Sequence, residues 1–226
     1  MKLEQNQLKQ QVAVAAVEYI REFFAPDAII GVGTGSTADL FIDALAAYKD
    51  QFKGAVASSE RTAARLESHG IKVFDLNEVN TMPVYVDGAD EVNPKLQMIK
   101  GGGGALTREK IVASVAERFV CIVDDSKWVE RLGNFKIPLE VIQIALNAVS
   151  NQLKNLGATE VVERAGFISD NGHPILDVAG FQLEDAANLE QQINQIPGVV
   201  TCGLFAVAPA NVVLMASQDG VKTIRV

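Results

Sequence analysis

Histidine and cysteine are nearly absent from this chain of 226 residues, with two of each. Cys121 and Cys202 lie in the apolar, strand-like runs Phe119-Val120-Cys121-Ile122-Val123 and Val200-Thr201-Cys202-Gly203-Leu204. No C-x-x-C and no metal-ligand spacing is present, which excludes a disulfide-stapled scaffold and a cysteine metal centre. Both read as buried, reduced thiols, and a reducing cytoplasm is the compartment expected. His69 reads as a dipole partner at a helix end, and His173 sits in the Asp170 to Pro174 turn. Neither has a ligand or nucleophile beside it, so any proton transfer must use a carboxylate as base.

Positive charge is also short, 20 Lys and Arg against 28 Asp and Glu, for a net charge of -8. No basic block exists, which argues against a nucleic-acid backbone or an anionic membrane as partner. A small anion would need a local site made of backbone N–H groups and a few lysines. The N-terminus has no apolar run of the kind a signal peptide needs. From Gln191 to Gln218 no side chain is charged, but Pro197, Gly198, Pro209 and Asn211 divide the stretch into pieces too short for a membrane span. Two buried strands and a loop are expected there. Internal repeats and low-complexity tracts are missing too. What remains, 48% hydrophobic and 21% charged residues, is ordinary globular composition for one large domain or two modest ones.

Helical spacing of Leu8, Val12, Ala16, Tyr19 and Phe23 predicts a first helix ending before Pro26. A buried strand at Ala28 to Val32, the turn Gly33 to Thr37 and a helix striped by Leu40, Phe41, Ala44, Leu45 and Tyr48 follow. Further strands are expected at Ala55 to Ala57, Ile71 to Phe74, Pro83 to Val86, Lys95 to Ile99 and Phe119 to Val123, with helices opened by Ser58 and Ser59 and spanning Leu106 to Ala116. Such alternation favours a Rossmann-like, mainly parallel sheet covered by helices. Beyond Leu132 the order becomes strand (Ile137 to Val141), helix (Ile142 to Leu156), strand (Ala158 to Arg164), then a hairpin in which Phe167 to Ser169 and Ile175 to Val178 flank Asp170-Asn171-Gly172. A helix at Glu184 to Gln195 and a strand at Val199 to Phe205 complete a β-α-β-β-α-β, ferredoxin-like pattern. The expected division is therefore 1-132 plus 206-226 for the Rossmann-like domain and 133-205 for an inserted small α+β domain.

Polar or glycine-rich turns end three strands of the first domain: Thr34-Gly35-Ser36-Thr37, Asp87-Gly88-Ala89-Asp90 and Asp124-Asp125-Ser126-Lys127. The C-terminal edge of an open α/β sheet is where ligands bind, so these turns are candidates for one cleft. At a helix start, Gly33 to Thr37 offers N–H groups, hydroxyls and a positive dipole end suited to phosphate. Alternatively, Ser36 or Thr37 simply caps the helix. The turn lacks both the Walker A lysine and the G-x-G-x-x-G spacing. Asp87 and Asp90 place two carboxylates on one turn. Lys100 precedes Gly101, Gly102, Gly103 and Gly104, an entropically costly run that suits close approach of backbone to a ligand, though a flexible surface loop would look the same. Glu109, flanked by Arg108 and Lys110, reads by itself as a dipole-complementing surface charge.

Four segments, Gly31 to Thr37, Tyr85 to Glu91, Lys100 to Lys110 and Pro197 to Phe205, closely resemble ribose-5-phosphate isomerase of type A, and the resemblance continues to Asp219-Gly220-Val221-Lys222-Thr223. It implies interconversion of ribose 5-phosphate and ribulose 5-phosphate in the non-oxidative pentose phosphate pathway, with no metal or organic cofactor, in a homodimer joined through the small domain or in a tetramer beyond it. It makes Glu109 the catalytic base. It places substrate contacts on Thr34, Gly35, Ser36 and Thr37, on Asp87, Gly88, Ala89 and Asp90, on Lys100, Gly101, Gly102 and Gly103, and on Lys127. Lys9 matches a family lysine near the phosphate with altered spacing, and Gly104 stands where some members carry Ala. In such chemistry Asp87 would move the ring-opening proton, Glu109 would carry the proton between C2 and C1, Lys100 and the glycine-loop N–H groups would hold the enediolate oxygens, and Asp90 would orient a hydroxyl or Lys100. A related sugar-phosphate deaminase or isomerase and a phosphosugar-sensing regulator domain are the rivals. The regulator would need a DNA-binding segment, and no basic recognition helix precedes the first sheet.

Overall fold

The computed structural model describes residues 3–226. In chain order its elements are α1 (Gln5–Ile20), β1 (Ile29–Val32), α2 (Ser36–Leu45), β2 (Gly54–Ala57), α3 (Glu60–Ser68), β3 (Tyr85–Asp87), β4 (Glu91–Val92), β5 (Met98–Ile99), α4 (Leu106–Val115) and β6 (Phe119–Asp124). They continue with β7 (Ile137–Val141), α5 (Leu146–Asn155), β8 (Glu160–Glu163), β9 (Ile175–Ala179), α6 (Ala186–Asn194), β10 (Val199–Cys202), β11 (Leu204–Phe205), β12 (Val212–Ser217) and β13 (Gly220–Ile224). They form two compact units.

One unit comprises the chain up to Gly88, Arg108–Trp128 and Ala210–Val226. Its six-stranded sheet has the order β13-β12-β6-β3-β1-β2. All pairs are parallel except β12 with β13. The expected α/β class and the return of the tail to the first sheet are both observed. Every residue of β1 and β6 is buried, as a sheet covered on both faces requires. Leu8, Val12, Ala16 and Ile20 of α1 and Phe41, Ile42 and Leu45 of α2 pack with Ile30, Val32, Val86 and Ile122 in one core. Cys121 is a buried thiol outside any disulfide.

The other unit comprises Ala89–Thr107 and Val129–Pro209. Its main sheet is antiparallel, ordered β10-β7-β9-β8, which in units of the β-α-β-β-α-β run is 4-1-3-2, the ferredoxin-like arrangement. Leu139, Val149, Leu153, Val178, Ile193 and the Cys202 thiol fill its core. A second small sheet has the order β11-β5-β4.

Four expected elements differ in detail. Ile71 to Phe74 forms a single bridge, Val73 with Ala55. Asp75 then accepts the Asn77 N–H and turns the chain into a 3-10 segment, which ends the extension. Lys95 and Leu96 are a tight turn, because Asn93 Oδ1 accepts the N–H groups of Lys95 and Gln97, each at 3.0 Å, so the strand shortens to Met98 and Ile99. Phe167 to Ser169 is not a strand: the Ser169 hydroxyl donates to Glu140 Oε1 at 3.0 Å and accepts the N–H of Asn171 at 3.2 Å, folding the loop onto β7. The Val199 to Phe205 run divides at Gly203, whose N–H goes to Pro138 O at 2.7 Å and whose carbonyl accepts the Lys100 N–H at 2.8 Å. One apolar run therefore serves two sheets.

Candidate active site

In the parallel sheet β6, β3 and β1 are neighbours, so their C-terminal ends share one edge. Between β1 and β3 the sheet's growth reverses, with β2 on one side and β6 on the other, which is the crevice position for ligands in open α/β sheets. The turns at Gly33 to Thr37, Asp87-Gly88 and Asp124 to Lys127 all leave from this edge.

Asp87 is completely buried at the end of β3. Its Oδ1 accepts the N–H of Thr34 at 3.0 Å and of Gly88 at 2.7 Å, while Oδ2 accepts the Tyr85 hydroxyl at 2.5 Å. Two residues apart on one strand, Tyr85 and Asp87 share a face, and that period-two spacing is the signal by which Tyr85 could have been found. Burial, reinforced by the negative charges of Asp87 and Glu109, drives the Tyr85 phenol well above its usual range, so the hydroxyl stays a donor. Gly33 is where the chain must lack a side chain, because a Cβ there would fall on the Asp87 carboxyl.

Neither Ser36 nor Thr37 caps α2. The N-cap is Gly35, with φ 133°, and no side chain bonds the first turn. Instead Lys9 Nζ donates to Ser36 Oγ at 3.0 Å, bringing an ammonium to a helix N-terminus. The Thr34 hydroxyl is taken up by Ser58 at 2.8 Å, Ser59 at 2.9 Å and Thr62 at 3.1 Å. That cluster fixes the turn, and sequence reading saw Ser58 and Ser59 only as a helix start. Lys127 closes a 3-10 turn whose N-cap, Asp124, accepts the Ser126 N–H at 3.1 Å.

Glu109 lies in the first turn of α4 and is only 3% exposed. The reading of Glu109 as a surface charge, made on composition alone, is thus corrected. Its neighbour Arg108 bonds outward to Glu60 at 2.7 Å.

Ala89, Asp90, Lys100 and the glycine loop belong to the other unit. Asp90 Oδ2 accepts the Gly102 N–H at 2.8 Å. Lys100 is buried, with Nζ 5.6 Å from the centroid of the Phe205 ring. Gly101 and Gly104 have φ of +97° and +82°, and Gly104 leaves room for the Phe167 ring. The N–H groups of Lys100, Gly102 and Gly104 go to Gly203, Asp90 and Gly101. Arg164, unremarked in the sequence, bonds the carbonyls of Gly101 and Gly102 at 3.3 and 3.1 Å. Among the described residues, no three of His, Cys, Asp and Glu gather in a group that could hold a metal, and no helix is long and apolar enough to cross a membrane.

The sequence profile of ribose 5-phosphate isomerase A (phosphoriboisomerase A) matches residues 54–220. Ribose-5-phosphate isomerase A of Bordetella pertussis is 63% identical over 220 residues, covering 97% of each chain. The crystal structure of ribose 5 phosphate isomerase A from Neisseria gonorrhoeae superposes with a TM-score of 0.94 at 43% identity, covering 100% of this chain and 99% of that one. A structure of D-ribose-5-phosphate isomerase in complex with phospho-erythronic acid gives a TM-score of 0.91 at 34% identity, covering 99% of this chain and 100% of that one.

Proposed function

The chain belongs to the ribose 5-phosphate isomerase A family, and we infer from that premise that it interconverts D-ribose 5-phosphate and D-ribulose 5-phosphate by proton transfer through an enediolate, in the non-oxidative pentose phosphate pathway. The observation that carries the reading is the edge of the parallel sheet. There a helix N-terminus with Lys9 at Ser36 suits a phosphate, and the Thr34 N–H of the same turn holds a buried carboxylate, Asp87. The phospho-erythronic acid bound by the related isomerase joins a carboxylate and a phosphate on one short chain, the two charges that an enediolate phosphate presents.

The roles follow from the groups. Thr34, Gly35, Ser36, Thr37 and Lys127, with Lys9, bind the phosphate end. Asp87, held by Thr34, Gly88 and Tyr85, transfers the proton in ring opening. Glu109 takes the proton from C2 and returns it to C1. Lys100 and the Gly101 and Gly103 N–H groups meet the charge on the enediolate oxygens, a stabilisation that grows as the charge develops. Asp90 orients the loop that carries them, and Gly88, Ala89 and Gly102 bring backbone close to the sugar. No metal or organic cofactor is needed for this set of charges. A homodimer joined through the small α+β domain, 133-205, and a cytoplasmic location complete the proposal. The base and the phosphate turn belong to the Rossmann-like unit, which differs from the expected 1-132 plus 206-226 chiefly in that Ala89–Thr107 falls in the other unit.

Glu109→Gln tests it, since the amide keeps the shape but cannot accept the C2 proton. Turnover of ribose 5-phosphate should fall ~10²–10⁴-fold, with KM changing far less. A folded Glu109→Gln protein at near wild-type kcat would remove Glu109 from the mechanism.

A further inference from the structure

We propose that Arg164 is a positioning residue for the isomerisation, acting through the peptide plane between Gly101 and Gly102. The proposal deepens the role given above to the glycine loop and rests on that reading.

The geometry is that of a clamp with two jaws. The carbonyl of Gly101 and the N–H of Gly102 belong to one rigid amide plane. Arg164 Nη1 donates to that carbonyl at 3.3 Å, and Asp90 Oδ2 accepts that N–H at 2.8 Å. Arg164 Nη1 also donates to Gly102 O at 3.1 Å, in the next plane. The guanidinium is itself fixed, because Nε and Nη2 meet the two oxygens of Asp177 at 2.9 and 2.6 Å in a bidentate pair. Arg164 follows β8 directly and Asp177 lies in β9, strands paired in register, so the fork stands on a sheet rather than on a loop. Phe167 lies beneath it, its ring centroid 5.4 Å from the guanidinium carbon, and packs where Gly104 has no side chain.

Such a clamp answers a specific weakness. Glycine accepts φ of either sign, so a run of four glycines can reverse its amide planes at little cost. Reversing the Gly101–Gly102 plane would turn the Gly102 N–H away from Asp90 and move the Gly101 and Gly103 donors that face the enediolate. Holding the plane at both edges removes that freedom. The loop then meets the developing charge already oriented, which is the condition under which N–H donors accelerate a reaction. Asp90 gains as well, since Gly102 fixes one of its oxygens.

Arg164→Ala should therefore lower kcat on the order of 10²-fold with KM changed severalfold at most, because donors that act mainly in the transition state are the ones displaced. Two further readouts separate this from a merely structural loss. Amide hydrogen exchange at Gly102, measured on substrate-free protein, should accelerate in Arg164→Ala and less so in Arg164→Lys, which keeps a charge but not the fork. Millimolar guanidinium, far below denaturing concentrations, should restore part of kcat in Arg164→Ala in a saturable way, whereas equal sodium chloride should not. If Arg164→Ala does not fold, Arg164→Lys and Asp177→Asn carry the same test. Unchanged exchange at Gly102 would overturn the clamp. Faster exchange with wild-type kcat would overturn the link from loop to chemistry while leaving the isomerase reading intact. Near wild-type turnover by a folded Glu109→Gln protein would be the separate failure of that reading.

Discussion

Gly33→Ala should disable the protein through Asp87, by a displacement whose size can be read from the fold. The backbone at Gly33 is anchored on both sides, its N–H donating to Val86 O at 2.9 Å and its carbonyl accepting the Thr62 hydroxyl at 2.9 Å. A Cβ built there falls well inside contact distance of Asp87 Cβ, Cγ and Oδ1. Rotating the carboxyl clears Cγ and Oδ1 but not Cβ, so the end of β3 itself must withdraw. A withdrawal of about 1 Å is the scale of misplacement that costs ~10²-fold in rate. It would also stretch the three bonds to Asp87 from Thr34, Gly88 and Tyr85, which stand at 3.0, 2.7 and 2.5 Å. Overpacking of this kind costs roughly 1–3 kcal/mol of stability, and each kcal/mol lowers Tm by about 2–4 °C in a chain of this size. Steady-state isomerisation of ribose 5-phosphate and thermal melting measure the two effects. A folded Gly33→Ala protein with wild-type Tm and kcat within about threefold of wild type would refute the reasoning.

Lys9→Ala, Thr37→Ala and Lys127→Ala should chiefly raise KM, as removal of uniform binding does, and a large fall in kcat with KM unchanged in all three would contradict their phosphate role. Extensive chelation should leave turnover intact; loss of activity restored only by a divalent ion would show that the proposed charges do not suffice. Acid stability should depend on Asp43: burial raises its carboxyl, but hydrogen bonds from Arg65, at 2.6 and 2.7 Å, and from His69, at 2.9 Å, outweigh that and hold it below the ordinary range. The unfolded chain then takes up the proton first as pH falls, so this contribution is full above the ordinary carboxylate range and is lost as pH drops toward the folded value. Tm of Asp43→Asn should therefore fall less steeply than wild type below about pH 5, and parallel curves would count against the shift.

What could be read from the sequence, and what could not, divides by the range of the interaction responsible. The alternation of strands and helices in the first unit is a periodicity signal, carried by residues close in sequence, and the six-stranded sheet follows it. The Asp170-Asn171-Gly172 turn signalled a hairpin, and its second flank is β9, but the partner strand is β8 at Glu160–Glu163 rather than the expected Phe167 to Ser169. Glu109 shows the limit. Its neighbours Arg108 and Lys110 make it look like a surface charge, and nothing within a few residues says that the helix start is buried; only the family motif singled it out. Gly203 is similar, for its division of one apolar run between two sheets depends on bonds to Pro138 and Lys100, some 65 and 103 residues away in the numbering. Arg164 is the extreme case. A lone arginine after a short strand carries no local pattern, yet its worth lies in reaching two glycine carbonyls and a carboxylate that two other segments deliver. Residues written in a motif, such as Asp87 and Lys100, can therefore be proposed for a site from the sequence, whereas residues that hold those motifs still become visible once the chain is folded.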